Sequence, residues 1–275
     1  MNRKPLWIAA LVAIALSWQT AVVASERLFT YTYEPETLPK GATEFEQWVT
    51  LRAGRDSKVG QKDYTRWEIR EEIEHGFTDN YTASLYLNMQ QENFRDPATK
   101  KDTSDFDFKG VSLENIYMLL NPAEHKVGLS LYLEGTCDGD EAELEQKILI
   151  GQRCGDWKWA VNFIHATEWD LHNGGTEGEF EFVMGISRQL SKQWALGIEA
   201  RDKNEIPEYN EWENTAIYVG PAVHYRSERW WATLSILPQV WGENFGGGKD
   251  PDGVSGLELE GNERVNVRLV MSIDL

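Results

Sequence analysis

The chain is short of basic residues and of long apolar runs, and each shortage excludes a class of function. There are 27 Lys and Arg against 45 Asp and Glu, which gives a net charge of −18. Phosphate backbones are bound by clustered Lys and Arg, so nucleic acid is not expected as a partner. Beyond the amino terminus, no segment reaches the ~18 uninterrupted apolar residues of a spanning helix. If the protein lies in a membrane, it must cross it with strands.

The chain also has only two cysteines, Cys137 and Cys154. A pair in an exported protein is ordinarily expected to form a disulfide. However, a strand is predicted over Leu144–Ile150, between the two. If that strand spans a membrane, the thiols lie at opposite mouths, beyond the ~7 Å limit between bridged Cα atoms. We therefore predict no disulfide.

The amino terminus has the features of an export signal. A basic region at Asn2–Lys4 precedes the largely apolar stretch Leu6–Val23, and Val22 and Ala24 form the pattern that signal peptidase cuts. This pattern predicts export through a cleaved signal peptide. The predicted organisation is a signal peptide over residues 1–24, an N-terminal periplasmic segment over 25–42 and a barrel over 43–275.

The last residues, Val265–Leu275, alternate between a wholly apolar face and a mostly polar face. Strand side chains alternate with a period of two, so this stretch is predicted to be a strand. An apolar face that finishes at the carboxyl terminus resembles the closing strand of bacterial outer-membrane β-barrels. The resemblance implies recognition by the barrel-assembly machinery.

The same alternation recurs along the chain and predicts twelve strands. Short links such as Gln152 to Asp156 alternate with long ones such as Gly242 to Glu260. Bacterial barrels have an even strand number, tight periplasmic turns and longer extracellular loops. We therefore predict an all-β fold, a single antiparallel transmembrane β-barrel of about 12 strands with short periplasmic turns and longer extracellular loops.

Tryptophan placement favours the same architecture. Trp157 follows a short turn and Trp169 flanks a long loop, the two levels where aromatic rings favour membrane interfaces. The alternation places Trp48, Trp231 and Trp241 on the inward side, so the predicted ring of interfacial aromatic residues is incomplete. A soluble β protein with core aromatics is the alternative.

The segment Thr30–Arg52, TYTYEPETLPKGATEFEQWVTLR, resembles the opening of a family of uncharacterised Gram-negative outer-membrane proteins. That family is similar to transporter-like barrels associated with aromatic-compound degradation operons. The resemblance implies a barrel and an outer-membrane location. It implies no catalytic or ligand residues.

Many charged side chains are predicted to face inward. A soluble barrel could not bury so many, because each unpaired charge would cost several kcal/mol. They indicate either a pore with charge selectivity or an ion-paired filling that seals the lumen. The predicted lumen-lining charges are Arg52, Arg66, Glu68, Arg70, Glu72, Glu114, Glu134, Lys158, Glu168, Glu179, Glu181, Glu199, Arg201, Arg264 and Arg268.

The long loops are acidic. The runs Asp138–Glu141 and Asp250–Gly253 resemble cation ligands, but neither completes a calcium-loop pattern, so no metal site is predicted. An acidic rim would be solvated or would meet lipopolysaccharide phosphates through divalent ions. We also expect it to raise the local cation concentration, an effect to be tested by neutralising loop carboxylates. Those carboxylates are Glu205, Glu208, Glu211 and Glu213.

An enzyme is not expected. Some twelve-strand barrels are outer-membrane phospholipases that use a His with a nearby Ser. The segment most similar to that pattern here is His172–Thr176, but it has no Ser two residues after the His. We predict a passive channel or transport-related protein with a charged lumen, whose cargo is a small solute or cation, and no cofactor. A sealed structural barrel with interacting acidic loops is the alternative, and a lipid hydrolase comes third.

Overall fold

The computed structural model describes residues 26–55, 62–96, 98–245 and 256–275. The predicted signal peptide and the Asp250–Gly253 run lie outside these residues. Within them, no helix is long and apolar enough to cross a membrane. The strands are β1 (Thr43–Ala53), β2 (Lys62–Thr78), β3 (Tyr81–Arg95), β4 (Asp102–Leu120), β5 (Gly128–Cys137), β6 (Glu141–Cys154), β7 (Trp157–Asp170), β8 (Thr176–Gln189), β9 (Trp194–Pro207), β10 (Asn214–Arg226), β11 (Trp230–Asn244) and β12 (Val265–Asp274).

The twelve strands form one closed antiparallel barrel in which every strand pairs with its neighbours in sequence. The barrel closes where β1 pairs with β12, with Phe45 opposite Ile273 and Ala53 opposite Val265. Closure leaves no unpaired sheet edge. The predicted fold class and strand number are confirmed.

The connections sort into two ends of the barrel. The short-turn end carries the links 79–80, 121–127, 155–156, 190–193 and 227–229, and the long-loop end carries 54–61, 96–101, 138–140, 171–175, 208–213 and 245–264. Most links are shorter than the alternation predicts. Two depart from the division into short turns and long loops, because β6 already begins at Glu141, which leaves three residues at 138–140, and β5 begins only at Gly128, which leaves seven at 121–127. Cys137 and Cys154 are free and lie at opposite ends of the β5–β6 hairpin.

The barrel exposes apolar side chains outward and buries polar and aromatic ones inward. Leu85, Phe163 and Ile198 are 52%, 51% and 58% exposed, whereas Tyr86 and Tyr218 are fully buried. This is the reverse of a soluble core and suits a wall that faces lipid. It follows from the alternation of each strand, because inward positions recur at every second residue.

One predicted orientation is wrong. Trp48 and Trp231 are buried inside the barrel, as predicted, but Trp241 is 41% exposed. In the β10–β11 ladder Ile217 pairs with Trp241 and Tyr218 with Gln239, so Val240 is an extra residue in β11. A β-bulge of this kind reverses the side-chain parity beyond it, which the alternation alone could not reveal.

Candidate functional site

Residues 26–38, called the plug below, lie inside the barrel. Phe29 is 1% exposed and Leu38 is fully buried, although neither belongs to a strand. This differs from the expected periplasmic segment over residues 25–42. The candidate site is therefore a lumen that contains part of its own chain.

The plug enters and leaves at the short-turn end. Glu26 forms an ion pair with Arg226, the last residue of β10. The chain then rises to Tyr31, whose ring lies 3.8 Å from the Arg268 guanidinium. It returns to Leu38, whose backbone N donates to Thr82 Oγ1 at 2.9 Å near the start of β3. The plug is thus a loop, with both ends at one mouth.

Glu199 holds the top of this loop. Its carboxylate accepts hydrogen bonds from the backbone N atoms of Thr30, Tyr31 and Thr32 at 3.2, 2.7 and 2.6 Å. Ser235 Oγ donates to the same carboxylate at 2.7 Å. Glu199 is fully buried, and a buried carboxylate requires such donors. Glu199, one of the predicted lumen-lining charges, therefore binds the plug and does not face solvent.

Other strands hold the plug through side chains. Tyr33 N donates to Asn162 Oδ1 at 2.7 Å, and Asn162 Nδ2 donates to Tyr33 O at 2.8 Å, so one amide side chain satisfies both backbone polar groups of Tyr33. Ser130 Oγ donates to the Pro35 carbonyl. Among the described residues, the backbone of the plug bonds to barrel side chains and to no strand backbone. The plug is therefore not part of the sheet.

Glycines in the wall make room for the plug. A Cβ atom at Gly185 would lie 2.5 Å from Phe29 Cδ1, and one at Gly128 would lie 2.7 Å from Pro35 Cγ. Gly151, directly opposite Gly128, would place a Cβ 2.9 Å from Pro35 Cδ. Any larger residue at these positions would displace the plug. A lone glycine within a strand often marks such a close approach, and this was the available sequence signal for the plug.

Above the plug lies an outer vestibule, a cavity of about 620 Å³ that extends towards the long-loop end and has Tyr31 and Tyr33 in its lining. Its charges are largely paired between strands: Arg52 Nε of β1 lies 2.8 Å from Glu68 Oε1 of β2. Further pairs are Arg66–Glu92, Arg70–Glu134, Arg201–Glu181 and Lys203–Glu179. Pairing stabilises charges that would otherwise be costly in a confined lumen.

Three carboxylates in the outer vestibule lack such partners. Glu143 of β6 lies opposite Glu168 of β7, which lies opposite Glu177 of β8. Over the described part of the chain, these three side chains make no hydrogen bond and no ion pair. We call them the acid row. Adjacent like charges repel one another, and no described cation lies within ion-pairing distance of these three.

The rim beside the acid row contains Asp138, which was considered as a cation ligand. Its Oδ1 accepts the backbone N atoms of Asp140 and Glu141 at 2.9 and 2.8 Å, and Lys109 Nζ lies 3.3 Å from its Oδ2. Partial burial acts to raise the pKa of Asp138, but these hydrogen bonds and the nearby ammonium lower it below its ordinary value. Asp138 thus stabilises its own turn.

Below the plug lies an inner vestibule of about 1110 Å³ at the short-turn end. Lys158 lines it, with Nζ 2.8 Å from Glu36 Oε1 and 3.8 Å from Glu34 Oε1. A third cavity of only about 20 Å³ shares Tyr33 with the outer vestibule and Glu36 with the inner one. In the described residues, the plug therefore lies between the two vestibules.

Comparison with known proteins places the chain in a family. The sequence profile of that family matches residues 21–147 and 159–275. The chain belongs to DUF6662, a family of unknown function. A search of curated protein sequences finds no match.

Solved structures with a similar fold include outer-membrane barrels. The COG4313 outer-membrane channel from Pseudomonas putida F1 is 11% identical, with a TM-score of 0.61 over 90% of this chain and 100% of that one. The NanC porin is 10% identical, with a TM-score of 0.52 over 84% and 100%. The KdgM porin in complex with disordered oligogalacturonate is 8% identical, with a TM-score of 0.50 over 85% and 99%. At these identities the likeness concerns the fold.

The structure brings most of the predicted lumen charges of this DUF6662 chain together, but at different levels. The outer vestibule is lined by Arg52, Arg66, Glu68, Arg70, Glu134, Glu168, Glu179, Glu181, Arg201 and Arg268. Glu72 and Glu114 line the narrow cavity, Lys158 the inner vestibule, and Glu199 lies beside the plug.

Arg264 departs from the prediction. It is exposed, lies just before β12 and is absent from the linings of the three described cavities. Its backbone continues the ladder, with Arg264 N donating to Gly54 O at 2.9 Å and Gln239 N donating to Arg264 O at 2.8 Å. Its place at the strand end, where the lumen opens to solvent, removes it from the charged lining.

Proposed function

We propose that the protein is an outer-membrane channel that the plug closes and that admits small cations when the plug withdraws. The apolar outer wall and the fold shared with the COG4313 channel and the NanC porin support the location and the class. Export through the signal peptide over residues 1–24, and recognition of β12 by the barrel-assembly machinery, belong to this proposal. So does contact between the acidic loops and lipopolysaccharide.

The observation that carries the proposal is the way the plug separates two vestibules. It is bonded to side chains such as Glu199 and Asn162 rather than to strand backbones. Its withdrawal therefore leaves every described strand pair intact. Because both ends of the plug lie at the short-turn end, it would move towards the inner vestibule. A plug that formed an extra strand could not leave so easily.

The acid row supports a cationic cargo. Three adjacent carboxylates without cationic partners raise the local concentration of cations at the outer mouth. They also disfavour polyanions, such as the oligogalacturonate found in the KdgM porin. We therefore propose small cations rather than acidic saccharides. The association with aromatic-compound degradation stays a prediction.

The alternative is a sealed barrel, and the close fit of Phe29 against Gly185 favours it. Planar-bilayer conductance of Gly185→Ala separates the two functions, because the added Cβ would lie 2.5 Å from the Phe29 ring. Gly135→Ala is the matched control, since its Cβ would meet no atom within 4 Å. Both variants must show the heat-modifiable migration of a folded barrel.

We expect a wild-type channel that is closed for most of the time, frequent discrete openings in Gly185→Ala, and wild-type behaviour in Gly135→Ala. Silence from folded Gly185→Ala would support the sealed barrel. Continuous conductance of the wild type, unchanged in Gly185→Ala, would show that the plug is not a gate. The hydrolase alternative has no comparable support: His172 contacts Asp140, and no described serine hydroxyl is bonded to it.

A further inference from the structure

Arg27 of the plug lies against an acidic and aromatic part of the barrel wall. Its guanidinium Cζ lies 4.5 Å from the centroid of the Trp48 ring and 3.5 Å from that of the Tyr33 ring. Its Nη1 lies 3.9 Å from Glu46 Oε2. A cation over an aromatic face, within about 6 Å of the ring centroid, is attracted by the ring. The wall therefore holds a cation that the plug supplies.

The wall side chains around this guanidinium form a pocket of their own. Four acidic side chains share the lining of the cavity of about 20 Å³ with Arg27, and one aromatic ring contributes its face to the same guanidinium. They are Glu46, Glu72, Glu74, Glu114 and Trp48. We call these five residues the cation pocket. Among the described residues that line the cavity, Arg27 is the only lysine or arginine.

The cation pocket is built from the barrel and not from the plug. Its residues belong to β1, β2 and β4, which stay paired whatever the plug does. Trp48 is 2% exposed, and its Nε1 donates to Glu72 Oε2 at 2.9 Å, which fixes the orientation of the indole ring. When the plug withdraws, Arg27 and Tyr33 leave together. The acidic side chains and the face of Trp48 then remain in the open lumen.

Charge and stacking alone hold Arg27 in the cation pocket. A guanidinium has five N–H donors, yet the Arg27 side chain donates no hydrogen bond to any residue that the structure describes. Arg66 and Arg201 of the wall differ, because each donates two hydrogen bonds to a single carboxylate group. A free cation of the same shape could therefore displace the Arg27 side chain without breaking a hydrogen bond within the chain.

We propose that the cation pocket binds small organic cations with a guanidinium head, and that Arg27 occupies it as a tethered copy of that head. The inference rests on the proposed function and names the class of its cargo. A guanidinium is planar and weakly hydrated and stacks on aromatic faces, which suits the face of Trp48. Because the pocket is vacant of Arg27 only in the open form, such a cation binds that form better and raises its population.

The test is calorimetric titration of the refolded full chain in detergent with methylguanidinium chloride, at an ionic strength held constant with NaCl. Arg27→Ala removes the tethered competitor and leaves the wall unchanged. Arg229→Ala is the matched control, because Arg229 is an exposed arginine in a turn at the same end. Methylurea, a neutral molecule of nearly the same shape, is the second probe, and it separates recognition of charge from filling of a cavity.

Further variants, each made in the Arg27→Ala background, test the wall of the pocket. Trp48→Leu removes the aromatic face, whereas Trp48→Phe keeps one. Glu46→Gln removes one acidic group, with Glu124→Gln as its control, because Glu124 is exposed in a turn at the same end. If Trp48→Leu does not fold, the comparison of Glu46→Gln with Glu124→Gln decides.

We expect Arg27→Ala to bind one methylguanidinium about tenfold or more tightly than the wild type or Arg229→Ala, because no tethered side chain competes. Methylurea should not bind measurably. Trp48→Leu should weaken binding by about tenfold and Trp48→Phe by less. Glu46→Gln should weaken it as well, and Glu124→Gln should not.

Two results would overturn the cation pocket. Folded Arg27→Ala could bind methylguanidinium no more tightly than the wild type, or it could bind methylurea equally well. Neither result depends on channel opening, so the pocket and the gate are tested separately. In planar bilayers, methylguanidinium should also raise the open fraction of the wild type above that in NaCl of the same ionic strength. Tight binding to Arg27→Ala without this rise would support the pocket and contradict the gate.

Discussion

Replacing Glu199 with Gln should open the channel more often. In the wild type one carboxylate oxygen accepts the backbone N atoms of Tyr31 and Thr32, and the other accepts Thr30 N and Ser235 Oγ. A glutamine keeps the first oxygen but presents an NH₂ group to Thr30 N. Two donors then face each other, and the remaining bonds lose their charge.

The size of the effect follows from these contacts. Hydrogen bonds to a charged group contribute about 1.5–3 kcal/mol each, and a buried donor left without an acceptor costs about 1–3 kcal/mol. Loss of about 3 kcal/mol from the closed state is therefore a moderate estimate. Since about 1.4 kcal/mol corresponds to a factor of ten, the ratio of open to closed channel should rise roughly a hundredfold.

The assay is the fraction of time that single channels spend open in a planar bilayer, with Glu124→Gln as the control for loss of one acidic side chain. Trypsin cleavage after Arg27 is a readout independent of conductance. The Arg27 side chain is 12% exposed in the closed form, so cleavage there should accelerate when the plug withdraws. Mass spectrometry identifies the cut. If folded Glu199→Gln keeps both the open time and the Arg27 protection of the wild type, Glu199 does not hold the plug.

Two more predictions concern the outer mouth. Replacing the three glutamates of the acid row with Gln should reduce the preference for cations, measured as the reversal potential in the Gly185→Ala background. The reduction should be larger than when the exposed loop residues Glu208, Glu211 and Glu213 are replaced. The opposite order would assign selectivity to the loops. Because Cys137 lies at the long-loop end and Cys154 at the short-turn end, a bulky maleimide should label only Cys137 on intact cells and both after lysis. Labelling of Cys154 alone would invert the proposed orientation.

Much of the wall could be predicted from side-chain alternation. The terminal strand was predicted over Val265–Leu275 and is observed over Val265–Asp274, and the inward residues follow the period of two. The bulge at Val240 could not be predicted from the sequence, because an inserted residue reverses the side-chain alternation without changing the composition of the strand. The pairing of the charges could not be predicted either. Arg70 contacts Glu134 across two intervening strands, and only the closed barrel shows that the two side chains are close.

The plug could not be derived because an irregular segment has no period. Its location depends on contacts with strands far along the chain, such as Asn162 and Glu199, and no local pattern encodes them. The sequence of the barrel wall nevertheless contains an indication of the plug. Gly128, Gly151 and Gly185 occupy inward strand positions that side chains would otherwise fill.

The return of the plug to the mouth where it enters has a mechanical consequence. A chain threaded from one mouth to the other would have to draw a free end through the lumen in order to leave. Here Glu26 and Leu38 lie at the same mouth, so the segment can slide out as a folded loop, anchored through Ala42 to β1.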